Sequence, residues 1–167
     1  GIRRADAEAV VACVVPILGS GPGLTPSADD AVAGVLLTAR SWYGTDVGPL
    51  LSRTGALLAP HLDRRTTAVS AGLLQHASEG RGAPEVVRAV EHLTGRHPDD
   101  QHDVLRRLVE LGHTSGRDTA LGVLAFLDAQ TPTVTSGEAT ATGRSAPVGR
   151  HDHSAVPQHD PPARENA

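Results

Sequence analysis

Lysine and methionine are absent from this chain of 167 residues, and cysteine and aromatic residues nearly so. Without Lys there is no Schiff-base chemistry and no phosphate-binding lysine of the Walker type. A codon bias toward Arg explains that absence equally well, since all 15 basic residues are Arg, and the exclusion holds either way. One cysteine, Cys13, rules out a disulfide or a cysteine-based zinc site within one chain. It stands in an apolar run, residues 10–15, where a buried, inert thiol is the expectation. Trp42, Tyr43 and Phe126 are the only aromatic residues. A core must therefore be built from Leu, Val and Ala, which favours packed helices over stacked sheets. The formal net charge of -4 is mild and argues against a non-specific nucleic-acid binder, whose surface would be basic. No apolar run nears the ~20 residues of a membrane span and no signal peptide is visible, so we expect no membrane partner and a cytoplasmic location. The chain begins at Gly1 and lacks Met, from which we expect an incomplete reading of a longer protein.

What is present is helical punctuation. Residues 6–15 read as a helix ended by Pro16. Residues 18–26 form a loop dense in Gly and Pro, after which a helix is expected over 27–41 with Ser27 as its N-cap. Further helices are expected at 46–59, 66–78, 83–94, 101–111 and 116–129, the sixth carrying a stripe of Leu105, Leu108, Val109 and Leu111. From Thr131 onward Thr, Ser, Gly, Ala, Pro and His dominate, so residues 131–167 are expected to be disordered and residues 1–130 to form the domain. The histidines of that tail, His151, His153 and His159, read as composition, not a metal site.

Two stretches match each other. Residues 27–36 and 115–124 both read Ser-x-x-Asp-x-x-x-Gly-Val-Leu, and each follows a Gly and a Thr: Gly23 and Thr25, then Gly112 and Thr114. This is an internal repeat of a loop–helix unit. Ser at the N-cap with an acid three residues on is a capping box, into which Ser27 with Asp30 and Ser115 with Asp118 both fit. Gly34 and Gly122 each cost a helix roughly 1 kcal/mol against Ala, so their recurrence implies close approach of the two helices across a pseudo-twofold axis.

A capping box usually serves only to start a helix. Other features point to a ligand. Gly21 and Gly23 let backbone come close to a bound molecule. Two facing helix starts present N–H groups and positive dipole ends that suit an anion, with Gly116 in the second turn. Thr25, Ser27, Thr114 and Ser115 add hydroxyls, and His113 adds a titratable ring. Asp29 is not needed for the cap, so its carboxylate is expected to be free to accept from an amide. A third polar run, Arg64-Arg65-Thr66-Thr67, precedes another helix, and Arg65 with Thr66 and Thr67 is a candidate anion clamp; surface arginines before a Thr cap is the plainer reading.

The string Leu18-Gly19-Ser20-Gly21-Pro22-Gly23-Leu24-Thr25-Pro26-Ser27-Ala28-Asp29-Asp30, followed by Ala33-Gly34, resembles the signature of the AllH-like family. Leu111-Gly112-His113-Thr114-Ser115-Gly116-Arg117-Asp118 is similar to its second signature, and Arg65-Thr66-Thr67-Ala68-Val69-Ser70 to the segment between. The resemblance implies a subunit of oxamate carbamoyltransferase, which moves a carbamoyl group between oxalurate and phosphate to give oxamate and carbamoyl phosphate. It implies partner subunits of the AllF and AllG types. We expect no cofactor and no metal site. The family usually has Gly where Ala28 stands, and its members carry an N-terminal region with β-structure that is missing here. The expected fold is thus mainly α, a helical bundle with an internal pseudo-repeat, the C-terminal helical part of a larger α+β protein.

On this reading helix starts, hydroxyls and Arg hold the anionic end of a small ligand, Asp29 accepts from its amide, and His113 is the candidate acid–base group. A helical interaction subunit with no site of its own is the competing reading, separated by ligand titration. Metal-dependent hydrolysis through Asp29, Asp30 and His113 is a weaker third, because helix neighbours point about 100° apart.

Overall fold

The structure, a computed structural model, describes residues 6–96 and 101–131, with Gln101 as backbone only. The expected tail lies outside the described residues from 132 onward. Among the described residues there are seven α-helices and no strand: α1 (Ala7–Val14), α2 (Ser27–Tyr43), α3 (Gly48–Arg65), α4 (Ala68–Ser78), α5 (Pro84–Leu93), α6 (Gln101–Val109) and α7 (Ser115–Asp128). The mainly α architecture read from the sequence is the one observed. No helix among the described residues is long and apolar enough to cross a membrane.

Helix α2 is central. It packs on α7 along its length and also meets α4 and α5, while α3 bridges α1 and α4 and α6 joins α5 to α7. Leu36, Leu51, Leu58, Leu62, Leu74 and Leu108 are each at most 1% exposed. Burial of each such side chain stabilises by about 1.5–3 kcal/mol, so Leu does the work that aromatics do elsewhere.

Helices α2 and α7 run side by side in the same direction. Their starts meet where the hydroxyl of Thr25, just ahead of α2, bonds that of Ser115, the first residue of α7, at 2.7 Å. Their last turns meet where Tyr43 stacks edge-on against Phe126, centroids 6.0 Å apart, and donates to Gln130 Oε1 at 2.9 Å. Between these ends both helices offer glycine. A methyl on Gly34 would stand 2.3 Å from the Thr119 carbonyl oxygen, and one on Gly122 would stand 1.9 Å from that of Ala31. The close approach expected from the sequence is therefore present, and reciprocal.

Several expectations are corrected. Helix α3 runs six residues past the predicted end at 59, through Pro60. Proline inside a helix costs about 3 kcal/mol, and Leu58 and Leu62, both 1% exposed on either side of it, offset that by staying on the buried face. Cys13 is exposed, not buried, because α1 buries the spacing Ala7, Val10, Val14. In α6 Leu108 is buried and Leu111, just past its end, packs on the core as predicted, but Val104 and not Val109 completes the stripe, Val109 being 41% exposed. Neither capping box forms. Pro26 and Thr114 occupy the N-cap positions without a side-chain bond, so Ser27 and Ser115 are the first residues inside their helices.

Candidate ligand site at the joined starts of two helices

The first turn of α2 carries two adjacent acids with opposite fates. Asp29 is fully buried. Its Oδ1 accepts from the Gly19 N–H at 2.9 Å, and its Oδ2 accepts from the Ser70 hydroxyl at 2.8 Å and from the Thr66 hydroxyl. One carboxylate thus ties the glycine loop to the α3–α4 junction. It is not free to take a ligand amide, which corrects the sequence reading. Thr67 caps α4 by accepting from the Ser70 N–H at 3.1 Å and donates to the Leu24 carbonyl. Gly19 has φ +74°, and a methyl there would stand 1.9 Å from the Arg65 carbonyl oxygen. The loop comes close to its own chain; that is why it needs glycine. The Arg65 guanidinium donates to the Val15 carbonyl at 3.3 Å.

Asp30, one residue on and about 100° around the helix, faces α7. It is 1% exposed, and neither carboxyl oxygen has a hydrogen-bond partner within the protein. Asp118 Oδ2 on α7 is likewise buried without one. Burial pushes the Asp30 carboxyl above its usual range; the nearby Ser115 and Thr25 hydroxyls favour the anion, and the charges of Asp118 and Asp29 oppose it. Those hydroxyls bond each other at 2.7 Å, and burial outweighs what they do for the Asp30 anion.

Asp30 lines a small, partly open cavity of about 60 Å3. Ser115 and Thr119 add polar wall, Leu37, Leu73, Val86 and Leu111 add apolar wall, and Arg81, Gly82 and Ala83 close it toward the surface. Leu73, Arg81, Gly82 and Ala83 also line an adjoining open groove of about 650 Å3, with Val69, Gly72 and His76. Arg81 is paired with Glu79 and has Nη2 3.1 Å from His76 Nδ1. A separate hollow of about 540 Å3, lined by Arg40, Tyr43, Glu91 and Arg96 among others, contains none of the motif residues. We place the site at the smaller cavity because its wall includes a buried carboxyl, Asp30, whose two oxygens lack a partner.

The fold therefore gathers Thr25, Asp30, Ser115 and Asp118 at one point. It gathers Asp29, Thr66 and Thr67 elsewhere, in a structural tie. Ser27 is half-buried and Gly21 and Gly23 are exposed in the loop. Thr114 and His113 are exposed before α7, and His113 does not wall the cavity. Gly116 is buried, a methyl there lying 1.8 Å from the Leu108 carbonyl oxygen. The helix-start amides are largely engaged: Ala28 N–H bonds Ser20 O at 3.0 Å and Asp29 N–H bonds Pro26 O at 2.9 Å. At α7, Gly116 N–H bonds Leu111 O at 3.0 Å and Arg117 N–H bonds Thr114 O at 2.9 Å. The open amide cradle expected from the sequence is not formed. Among the described residues no group of three or more His, Cys, Asp or Glu is placed to hold a metal ion.

Arg81 was not singled out by motif. Its signal was present: a lone Arg between Gly80 and Gly82, just ahead of the proline that starts α5. Ser70 was visible in the third polar run, but nothing local says that its hydroxyl turns toward Asp29.

No solved structure matches the chain. A protein-family model does, over residues 17–127, a span that includes α2, the Asp29 tie, Asp30 with its cavity, and nearly all of α7. With two thirds of its length so matched, the chain belongs to the family described as oxamate carbamoyltransferase subunit AllH.

Proposed function

We propose that this chain is a subunit of an oxamate carbamoyltransferase-like enzyme that holds a small carboxylate- or phosphate-bearing ligand beside the joined starts of α2 and α7 and assists carbamoyl transfer. The observation that carries this reading is the 2.7 Å bond between Thr25 and Ser115, which brings motifs 90 residues apart to one point beside an unpartnered buried carboxyl. The two loop–helix units are a pseudo-repeat related by a local twofold: Gly34 meets Thr119 and Gly122 meets Ala31, and these residues hold equivalent places in the repeat. The ligands are oxamate, oxalurate, carbamoyl phosphate and phosphate, and the partners are AllF-like and AllG-like subunits. Carbamoyl transfer depends on stabilising charge that develops on oxygen, which fixed hydroxyls and Arg can do without a protein nucleophile. With the starting amides engaged, that work falls to side chains: Thr25, Ser115 and Arg81.

Titration calorimetry of the full chain with phosphate, oxamate and carbamoyl phosphate tests this. We expect saturable heat with at least one of them, and Ser115→Ala to weaken binding by roughly tenfold, the size of one lost hydrogen bond to a charged group. No heat with any of the three would remove the ligand site.

One observation favours a second reading, a helical scaffold subunit that assembles partners without binding substrate. Asp29, the most prominent acid of the motif, is fully used inside the fold. Under that reading a pull-down recovers AllF- and AllG-like chains and added oxamate changes neither yield nor stability.

A further inference from the structure

We propose that the small cavity beside Asp30 is a subsite for a primary amide or ureido terminus, with Asp30 receiving the N–H end and Arg81 at the mouth receiving a carboxylate at the other end. This rests on the ligand-binding reading above and adds the orientation of the ligand and the two residues that impose it.

Three features converge. First, the Asp30 carboxyl is 1% exposed, lines the cavity, and has both oxygens without a partner in the protein. A buried acceptor in that state is a seat for an N–H donor. Second, the cavity of about 60 Å3 is the smaller of the two adjoining hollows; it has room for the three heavy atoms of a –CO–NH2 group, and its buried carboxyl is a poor neighbour for the charge of a phosphate. Third, the polar groups are bipolar. Ser115 and Thr119 supply hydroxyls beside Asp30, and Arg81 belongs to both the cavity wall and the outer groove. An Arg fork matches a carboxylate, which here would take the place of Glu79 on Arg81. A ligand carrying carboxylate and amide on adjacent carbons thus fits in one direction only, amide inward.

Burial strips water from the Asp30 carboxyl and pushes its titration upward, so N–H donors of an occupant would replace the hydration it has lost. The apolar walls, Leu37, Leu73 and Val86, strengthen such bonds by excluding water.

The test compares oxamate with oxalate, which has a carboxylate in place of the amide, by calorimetry on the full chain, with phosphate as a third titrant. We expect oxamate to be preferred by roughly tenfold or more, because a site with a buried polar group rejects the analogue that cannot pair with it. Asp30→Ala should bring the two affinities together, while Asp30→Asn, which keeps a carbonyl acceptor, should retain most of the preference. A second variant guards against misfolding. Ala83 is exposed at the N-cap position of α5 with no side-chain bond, so Ala83→Leu should narrow the mouth and weaken oxamate binding without altering the melting temperature. Equal affinities in the unaltered chain, or a preference that survives Asp30→Ala, would overturn the subsite. If phosphate binds while oxamate and oxalate are not distinguished, the subsite fails and the ligand reading stands. If none of the three binds, both fail.

Discussion

Asp29 and Asp30 share a side-chain type, a helix turn and near-complete burial, yet only one is satisfied. Removing the Asp29 carboxylate strands three donors, from Gly19, Thr66 and Ser70. Asp29→Ala should therefore lower the unfolding free energy by about 3 kcal/mol in urea titration, the loss of more than one charge-assisted bond. Asp30 should behave in the opposite sense. Its folded carboxyl titrates above the ordinary value of 3.8, so its contribution to stability is intact below that value and is lost as pH rises through the folded value. Above that window the buried anion costs stability. Asp30→Asn should then match the unaltered chain at low pH and exceed it increasingly as pH rises. Subtracting the two curves isolates Asp30 from its charged neighbours, Asp29, Asp118 and Arg81, which both proteins share. A stability difference that stays flat from about pH 3 to 8 would show that Asp30 is not the group responsible.

The α2–α7 pair depends on backbone approach more than on side-chain volume. Gly34→Ala and Gly122→Ala each place a methyl inside contact distance of a carbonyl oxygen on the facing helix. Each should destabilise by about 1–3 kcal/mol as overpacking, despite the better helix propensity of Ala, and thermal melts should show it. Gly72→Ala on α4 is the control: a methyl there meets nothing within 4 Å, so it should raise stability slightly. Separating α2 from α7 also displaces Ser115 from Thr25, so the Gly34 and Gly122 variants should lose ligand affinity as well as stability. If affinity is unchanged in folded Gly122→Ala, the joined helix starts do not form the site.

Seen across the fold, ligand binding and stability are coupled. A ligand held between α2, α4, α5 and α7 binds the folded chain and not the unfolded one. Oxamate at a hundredfold its dissociation constant should therefore raise the unfolding free energy by about 2.7 kcal/mol, readable as a shifted melt. At the same oxamate concentration the shift should shrink in Ala83→Leu, whose fold is untouched.

Helix positions were legible in the chain because their causes are local: hydrophobic spacing, Gly and Pro punctuation, and few aromatics. So was the doubled Ser/Asp motif, with a pair of glycines that foretold two helices in contact. Local rules also misled. Pro60 suggested a stop that the burial of Leu58 and Leu62 overrode, and Ser27 with Asp30 suggested a cap that Pro26 displaced. The roles of the acids were decided by residues far along the chain. Asp29 is saturated by groups 10, 37 and 41 positions away, and the hydroxyls beside Asp30 come from units 90 residues apart. Arg81 belongs to the site only because the turn before α5 lies over the gap between α2 and α4. Spacing along a chain reports which face of a helix a residue occupies; which partner waits on that face is set by packing.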